Sequence, residues 1–195
     1  MFRDQTICEG NLFEQYDAVI DFCLKHLNLA GRMDSKFRQD TLTVPYEAIK
    51  ETTINMLCHH SWSAENLTPS LAIYDDRMVF QNPGTFPIDM TWKDFVENQI
   101  GSIPANPTIA NVFYRRGTME AWGGGIGLIM ESCKEQGLPL PEIQVISPFV
   151  NLTIWFKNTL KESECTPQVM KRHTPSQDSF HPKIRCSHFA NHLRA

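Results

Sequence analysis

Trp122-Gly123-Gly124-Gly125-Ile126-Gly127-Leu128 is the stretch that decides how this chain is interpreted, because four glycines precede a segment with the apolar spacing of a helix. Glycine has no Cβ atom, so such a backbone can adopt positive φ and approach a ligand closely. The first N–H groups of a helix have no intrahelical partner and attract an anion. The stretch therefore predicts either a phosphate-binding loop or a turn that lets two elements pack closely.

The composition is that of a folded protein, with 195 residues of which 42% are hydrophobic. This length favours one domain with an appendage. Residues 1–10 contain no apolar run of signal-peptide length, and no later segment approaches the roughly 20 apolar residues that a membrane span needs. The six cysteines form no CxxC pair, which argues against a zinc knuckle and against a small disulfide framework. We therefore expect a cytoplasmic protein with free thiols and no membrane segment.

Charge divides the chain into two parts. Residues 1–156 hold 11 Lys and Arg against 19 Asp and Glu, whereas residues 157–195 hold 7 against 3. An acidic body is a poor surface for a phosphate backbone, which needs clustered cations. The basic tail contains four of the seven histidines, at a spacing that fits no familiar zinc pattern. We predict a folded body over 1–156 and a mobile tail over 157–195.

Hydrophobic periodicity predicts alternating helices and strands in the body. Helices are expected over 12–29, from 45 to about 60, near 92–99, over 107–116, and from the glycine-rich stretch to about 136. Strands are expected over 40–44, 67–74, 77–81, 143–147 and 150–156, with a tight turn at Asp75-Asp76. Residues 82–106 are expected to form a long, loop-rich connection.

The helix predicted after Pro45 carries Glu51, Asn55 and His59 at every fourth position, which places them in one stripe. The opposite stripe is formed by Ile49, Thr53, Met56 and Leu57. We therefore predict a helix that packs on a core and presents a carboxylate, an amide and an imidazole outward. An ordinary solvated helix face gives the same pattern, so a second motif is needed.

Glu-x-x-x-Asn on a helix, followed downstream by a glycine-rich loop, resembles the ATPase superfamily of gyrase, Hsp-type chaperones, histidine kinases and MutL. More closely, the chain resembles the C-terminal ATPase-like domain of RecG-related proteins, which are bacterial regulators with an upstream AlbA/Schlafen-type DNA-binding module. The segments that carry the resemblance are 45–59, 73–77, 82–84, 106–107, 122–126 and 133–142, and it spans roughly residues 12–156. The resemblance implies a two-layer α/β sandwich with a mixed sheet, the histidine-kinase-like ATPase fold.

The resemblance also implies a site for ATP and Mg²⁺. Asn55 takes the position of the Mg²⁺ ligand, and Glu51 takes that of the group that orients or deprotonates the attacking water. Asn82 and Gly84 lie where the superfamily has an Asp-x-Gly-x-Gly box, whose Asp receives the adenine amino group. The phosphate-cradling positions are Gly123, Gly124, Gly125 and Gly127.

The chain departs from these patterns at several positions. Asn82 replaces the adenine-reading Asp, and Phe86 replaces the second Gly of its box. His60-Ser61-Trp62 stands where the closer family has Arg-Asp-Tyr, and Ala105 stands where it has Arg. Two positive charges expected near phosphates are therefore missing. Since no Gly-x-x-x-x-Gly-Lys-Ser/Thr loop occurs, we expect no helicase motor activity.

The sequence thus predicts the nucleotide-binding regulatory domain of a RecG-like transcriptional regulator, with at most slow ATP hydrolysis. Residues 82–106 are expected to act as a lid over the nucleotide. The chain begins where the family's DNA-binding module would have ended, so DNA is expected to be contacted through a module absent from this chain; a homo-oligomer is left open. The alternative is a non-catalytic interaction or oligomerisation module that has lost nucleotide binding. A third reading is DNA binding through the basic tail.

Overall fold

A computed structural model describes residues 4–27, 29–34, 37–63, 66–97, 100–119, 125–157 and 183–186. The helices are α1 Leu12–His26, α2 Tyr46–Cys58, α3 Trp92–Glu97, α4 Pro107–Arg115 and α5 Gly125–Glu135. The strands are β1 Gln5–Cys8, β2 Leu29–Asp34, β3 Phe37–Leu42, β4 Ser70–Ile73, β5 Arg77–Pro83, β6 Glu142–Ile146, β7 Phe149–Trp155 and β8 Lys183–Cys186.

Six of the strands form one sheet in the order β1-β8-β4-β5-β7-β6. The pair β1 and β8 is parallel, and every other pair in this sheet is antiparallel. The remaining two strands, β2 and β3, form a separate antiparallel hairpin. The predicted α/β class with a mixed sheet is therefore confirmed.

The core lies against one face of this sheet. Strand register places the buried side chains in two cross-strand rows, Leu71-Phe80-Leu152 and Ile73-Met78-Ile154. These six residues belong to one buried cluster that also contains apolar side chains of α1, α2, α4 and α5. Because side chains alternate between the faces of a strand, the intervening residues lie on the opposite face.

Asn11 caps the start of helix α1. The side-chain oxygen of Asn11 accepts from the backbone N–H groups of Phe13 at 2.9 Å and Glu14 at 3.1 Å. The Glu14 carboxylate in turn accepts from the backbone N–H of Asn11 at 2.7 Å. This reciprocal cap satisfies donors that an uncapped helix leaves without partners. It fixes the helix start that the apolar spacing predicts at Leu12.

The predicted elements of the body are found with small shifts at their ends. Helix α1 ends three residues before the predicted end at residue 29, since the backbone of Leu27 is already extended. Strand β2 has no counterpart among the predicted elements. Strand β8 lies in the region predicted to be a mobile basic tail. These four residues instead belong to the sheet. Apart from Lys157, the rest of that region falls outside the described residues, and its separation from the body stays a prediction.

None of the helices described here is long and apolar enough to cross a bilayer.

Candidate functional site

Helix α2 lies in the centre of the helical layer, where it packs against α1, α4, α5 and β5. Nine of its thirteen positions are buried, including the predicted core residues Ile49, Thr53 and Leu57. The prediction that Glu51 faces outward is wrong, because its side chain is only 7% exposed. Asn55 and His59 of the predicted stripe are half-buried, because neighbouring helices cover more than one side of α2.

The last turn of α2 is tied to α4 by Asn106. The Asn106 side-chain amide donates to the carbonyl oxygens of Cys58 at 2.9 Å and His60 at 2.8 Å. Its backbone N–H also donates to the Cys58 carbonyl oxygen, at 3.1 Å. Asn106 therefore satisfies carbonyl groups at a helix end rather than capping its own helix with its side chain.

Gly84 lies where the chain leaves β5 and passes the end of α2. Its φ is +156°, and a Cβ atom at this position would stand 2.9 Å from the carbonyl oxygen of His59. The neighbouring backbone is fixed on both sides, since Gly84 N–H donates to Pro148 O at 2.9 Å and Ser61 N–H donates to Pro83 O at 2.8 Å. Gly84 therefore allows a close backbone approach that a residue with a side chain would prevent.

A cavity of about 140 Å³ lies between α2, the sheet, the segment 85–103 and the start of α5. Helix α2 contributes Thr52, Asn55, Met56 and His59 to its wall. The strands contribute Asn82, Ile143, Val150 and Leu152; the connecting segment contributes Thr85, Phe86, Pro87, Phe95, Ile100, Ser102 and Ile103; and α5 contributes Gly125 and Ile126. The wall is mainly apolar with a few polar groups, which is typical of a small-molecule site.

Two polar atoms in this wall are buried and have no hydrogen-bond partner within the described part of the chain. They are the hydroxyl oxygen of Thr52 and the side-chain oxygen of Asn82. The Thr52 side chain is only 3% exposed. Because an unsatisfied buried polar group costs about 1–3 kcal/mol, native structures rarely keep one without a reason. A ligand in the cavity that hydrogen-bonds to both atoms would supply that reason.

The imidazoles at the end of α2 are held neutral. Burial lowers the pKa of His59, which lines the cavity. Burial also lowers the pKa of His60 to about 4. His60 is 7% exposed and lies against Trp62 with ring centroids 4.4 Å apart. At neutral pH neither histidine supplies a positive charge to the cavity.

The predicted site residues are only partly brought together. Asn55, Asn82 and Gly125 line the cavity, and Gly125 begins α5 with φ +50°. Glu51 and Gly127 lie on the same two helices but do not line it. Gly84 supports the wall from outside through the contact with His59. Gly123 and Gly124 lie outside the described residues.

Sequence reasoning missed Thr52 as a site residue. Thr52, Asn55, Met56 and His59 have the spacing i, i+3, i+4 and i+7, so they share one helix face. That spacing was visible in the sequence, but Thr and Met on a helix face do not by themselves indicate a ligand. Met56, a member of the predicted core stripe, is buried and also forms part of the cavity wall.

The strand part of this site and α5 lie in a stretch of the chain that matches a known family. Residues 68–154 match the family described as "Putative ATP-dependent DNA helicase recG C-terminal". The resemblance to the RecG C-terminal domain that the sequence predicts is confirmed over this stretch. The stretch includes the strand part of the cavity wall and α5, whereas α2 with Glu51 and Asn55 precedes it.

A solved structure has a similar fold. It is the crystal structure of the DIP2311 protein from Corynebacterium diphtheriae, which is 21% identical and gives a TM-score of 0.68 over 76% of this chain. The chain spans 30% of the length of that protein. At this level of identity the likeness extends to the fold alone. No curated protein matches the chain.

Proposed function

We propose that the chain is a nucleotide-binding regulatory domain with the histidine-kinase-like ATPase fold, belonging to a RecG-like transcriptional regulator of the cytoplasm. ATP with Mg²⁺ is the proposed ligand. The observation that carries the proposal is the cavity with two unpartnered buried polar atoms, at Thr52 and Asn82. The match of residues 68–154 to the RecG C-terminal family supports a nucleotide as the occupant.

The base would occupy the inner part of the cavity. The unpartnered oxygen of Asn82 can accept a hydrogen bond from an exocyclic amino group, and the Thr52 hydroxyl can donate or accept. Apolar side chains such as Met56, Val150 and Leu152 would surround the ring faces. Asn82 would therefore recognise the base through a neutral amide acceptor in place of a carboxylate.

The phosphates would lie toward the start of α5. Gly125 begins this helix, where N–H groups without intrahelical partners favour an anion. We assign phosphate contacts to Gly123, Gly124, Gly125 and Gly127. Asn55 would hold Mg²⁺, since an amide oxygen suits an octahedral shell shared with phosphate and water. A bound Mg²⁺ neutralises charge on the phosphates.

Hydrolysis is proposed to be slow at most. Glu51 is the candidate for orienting or deprotonating the attacking water, but it is buried and does not line the cavity. A general base must come within hydrogen-bond reach of the proton that it takes. Turnover would therefore require a rearrangement of α2 or its neighbours. The binding of nucleotide, rather than its hydrolysis, would carry the regulatory signal to DNA through a module outside this chain.

Segment 85–103, which lies within the predicted lid 82–106 and lines the cavity, would serve as the lid of the site. It contributes seven residues to the cavity wall, and Ile88 near its start is 91% exposed. Ligand binding should slow limited proteolysis within this segment. Unchanged cleavage at saturating nucleotide would contradict the lid.

The test of the proposal is calorimetric titration of Mg²⁺ and ATP into the intact chain. Saturable binding is expected, and Asn55→Ala should weaken it by about three- to tenfold, since Asn55 would hold the Mg²⁺ on the phosphates. Asn111→Ala is the matched control, because Asn111 is exposed on α4 and away from the cavity wall. Absence of binding at millimolar ATP, or equal binding by both variants, would contradict the assignment. Complete absence of binding would instead favour the interaction or oligomerisation module.

A further inference from the structure

The wall of the cavity carries no charged side chain among the residues that the structure describes. None of its lining residues is Lys, Arg, Asp or Glu, and burial keeps His59 neutral. The sequence from Gly117 to Cys133, which includes the glycine-rich stretch, contains no Lys or Arg. In residues 82–106 the lone cation is Lys93, which is exposed on α3 beside Trp92.

A site that relies on a triphosphate ordinarily supplies cationic donors, because charge-assisted hydrogen bonds are about twice as strong as neutral ones. Among the described lining residues, the backbone N–H groups at the start of α5, the Asn55 amide and the hydroxyls of Thr85 and Ser102 can contact a phosphate, and all of these groups are neutral. Among the lining residues, the buried polar atoms without a hydrogen-bond partner in the described part of the chain lie instead at Thr52 and Asn82, both neutral. The unmet hydrogen-bonding capacity of the site therefore matches an uncharged ligand group.

The size of the cavity agrees with this reading. Its volume is about 140 Å³, and a cavity of about 150 Å³ is known to hold benzene. Such a space is large enough for a flat ring system. The phosphates of a bound nucleotide would extend beyond the apolar wall toward solvent.

We propose that the cavity is a nucleoside site, in which an amino-bearing purine base bound by Thr52 and Asn82 supplies most of the affinity and the phosphates supply little. This inference rests on the proposed function, since it names what determines affinity at the same site. In the alternative kind of site, phosphate and Mg²⁺ would supply most of the affinity. Adenosine, AMP and ATP should consequently compete for one site with similar affinities.

The experiment is calorimetric titration of adenosine, ribose 5-phosphate, and ATP with Mg²⁺ into the intact chain at physiological salt. We expect the dissociation constants of adenosine and ATP to agree within about tenfold, and ribose 5-phosphate not to bind at millimolar concentration. ATP binding at least a hundredfold tighter than adenosine would overturn this inference and leave nucleotide binding in place. Binding of ribose 5-phosphate as tight as that of adenosine would also overturn it. Binding of none of the three would overturn the proposed function itself.

A pair of variants on α2 tests the role of Thr52. Thr52→Val keeps the shape of the side chain but removes the unpartnered hydroxyl, and should weaken adenosine binding about tenfold. Thr53→Val is the control, because the Thr53 hydroxyl is buried in the core and donates to Ile49 O at 2.7 Å. Thermal unfolding verifies that both variants fold. Adenosine affinity that is unchanged in Thr52→Val, or lowered equally in both, would refute the assignment of Thr52.

Discussion

Gly84→Ala should destabilise the protein strongly, although residue 84 does not line the cavity. The added Cβ atom would lie 2.9 Å from the His59 carbonyl oxygen, a backbone atom that cannot swing away. A φ of +156° is also a conformation that residues other than glycine rarely adopt. A backbone shift that relieved the close contact or the unfavourable φ would strain the hydrogen bond from Gly84 N–H to Pro148 O.

The magnitude follows from these contributions. Backbone strain of this kind costs about 1–3 kcal/mol, and forcing an extra methyl group into a packed position costs about 1–3 kcal/mol. The lower conformational entropy of the unfolded alanine variant offsets about 0.4–1 kcal/mol. We expect the free energy of unfolding to fall by about 2–4 kcal/mol. For a chain of this size that corresponds to a decrease in Tm of about 5–15 °C.

Urea unfolding followed by circular dichroism measures this loss. Gly101→Ala is the matched control, because nothing lies within 4 Å of a Cβ atom there and its φ is not left-handed. It should change the free energy of unfolding by less than about 0.5 kcal/mol. A difference below about 1 kcal/mol between the two variants would refute the close-approach argument at Gly84.

Three further predictions concern the end of α2 and its surroundings. Thr52→Val should raise the stability of the unliganded protein by about 1 kcal/mol, since it removes an unpaired buried hydroxyl; a loss in urea unfolding would contradict this. Asn106→Ala removes two side-chain hydrogen bonds to the end of α2 and should lower the free energy of unfolding by about 2 kcal/mol, and Asn111→Ala serves as its exposed control. The pKa of His60 is lowered to about 4 in the folded state, so the unfolded chain binds more protons below pH 6.5. The free energy of unfolding should thus have its full value above pH 6.5 and should decrease by up to about 3 kcal/mol as the pH falls toward 4. Urea midpoints at several pH values measure it, and an equal pH dependence in His60→Phe would contradict the assignment to His60.

Elements with a strong local signal could be predicted from the sequence. The apolar spacing of α1 and α2 is helical, and the turn residues Asp75 and Asp76 separate two strands that pair directly. In both cases the residues that determine the structure are neighbours in the chain. Hydrophobic periodicity records such short-range structure well.

Strands that depend on distant partners could not be predicted in this way. The four residues of β8 pair with β1 on one side and β4 on the other, and nothing in their own composition indicates that position. Strand β2 follows α1 after a short interval and contains Gly31, which weakens a strand signal. Non-local pairing is a property of the whole fold rather than of a local segment.

The site was predicted in part for a related reason. The spacing of Glu51, Asn55 and His59 identifies a face of α2, but spacing cannot state what packs against that face. In the structure the cavity lies beside Thr52 and Asn55, whereas Glu51 is buried outside the cavity wall. The chemical value of Thr52 becomes visible only when its hydroxyl is found buried without a partner.

The two unpartnered atoms connect stability to ligand binding, and the signs of the effects separate a binding site from a packing defect. If Thr52 serves a ligand, Thr52→Val stabilises the empty protein but reduces the stabilisation that adenosine provides. That stabilisation is about 2.7 kcal/mol for the native chain at a ligand concentration of one hundred times Kd. If the hydroxyl is merely a defect, the empty variant is again more stable, but the shift in Tm caused by adenosine stays the same. Since only the first case gives opposite changes in the two quantities, thermal unfolding of both proteins with and without adenosine decides between them.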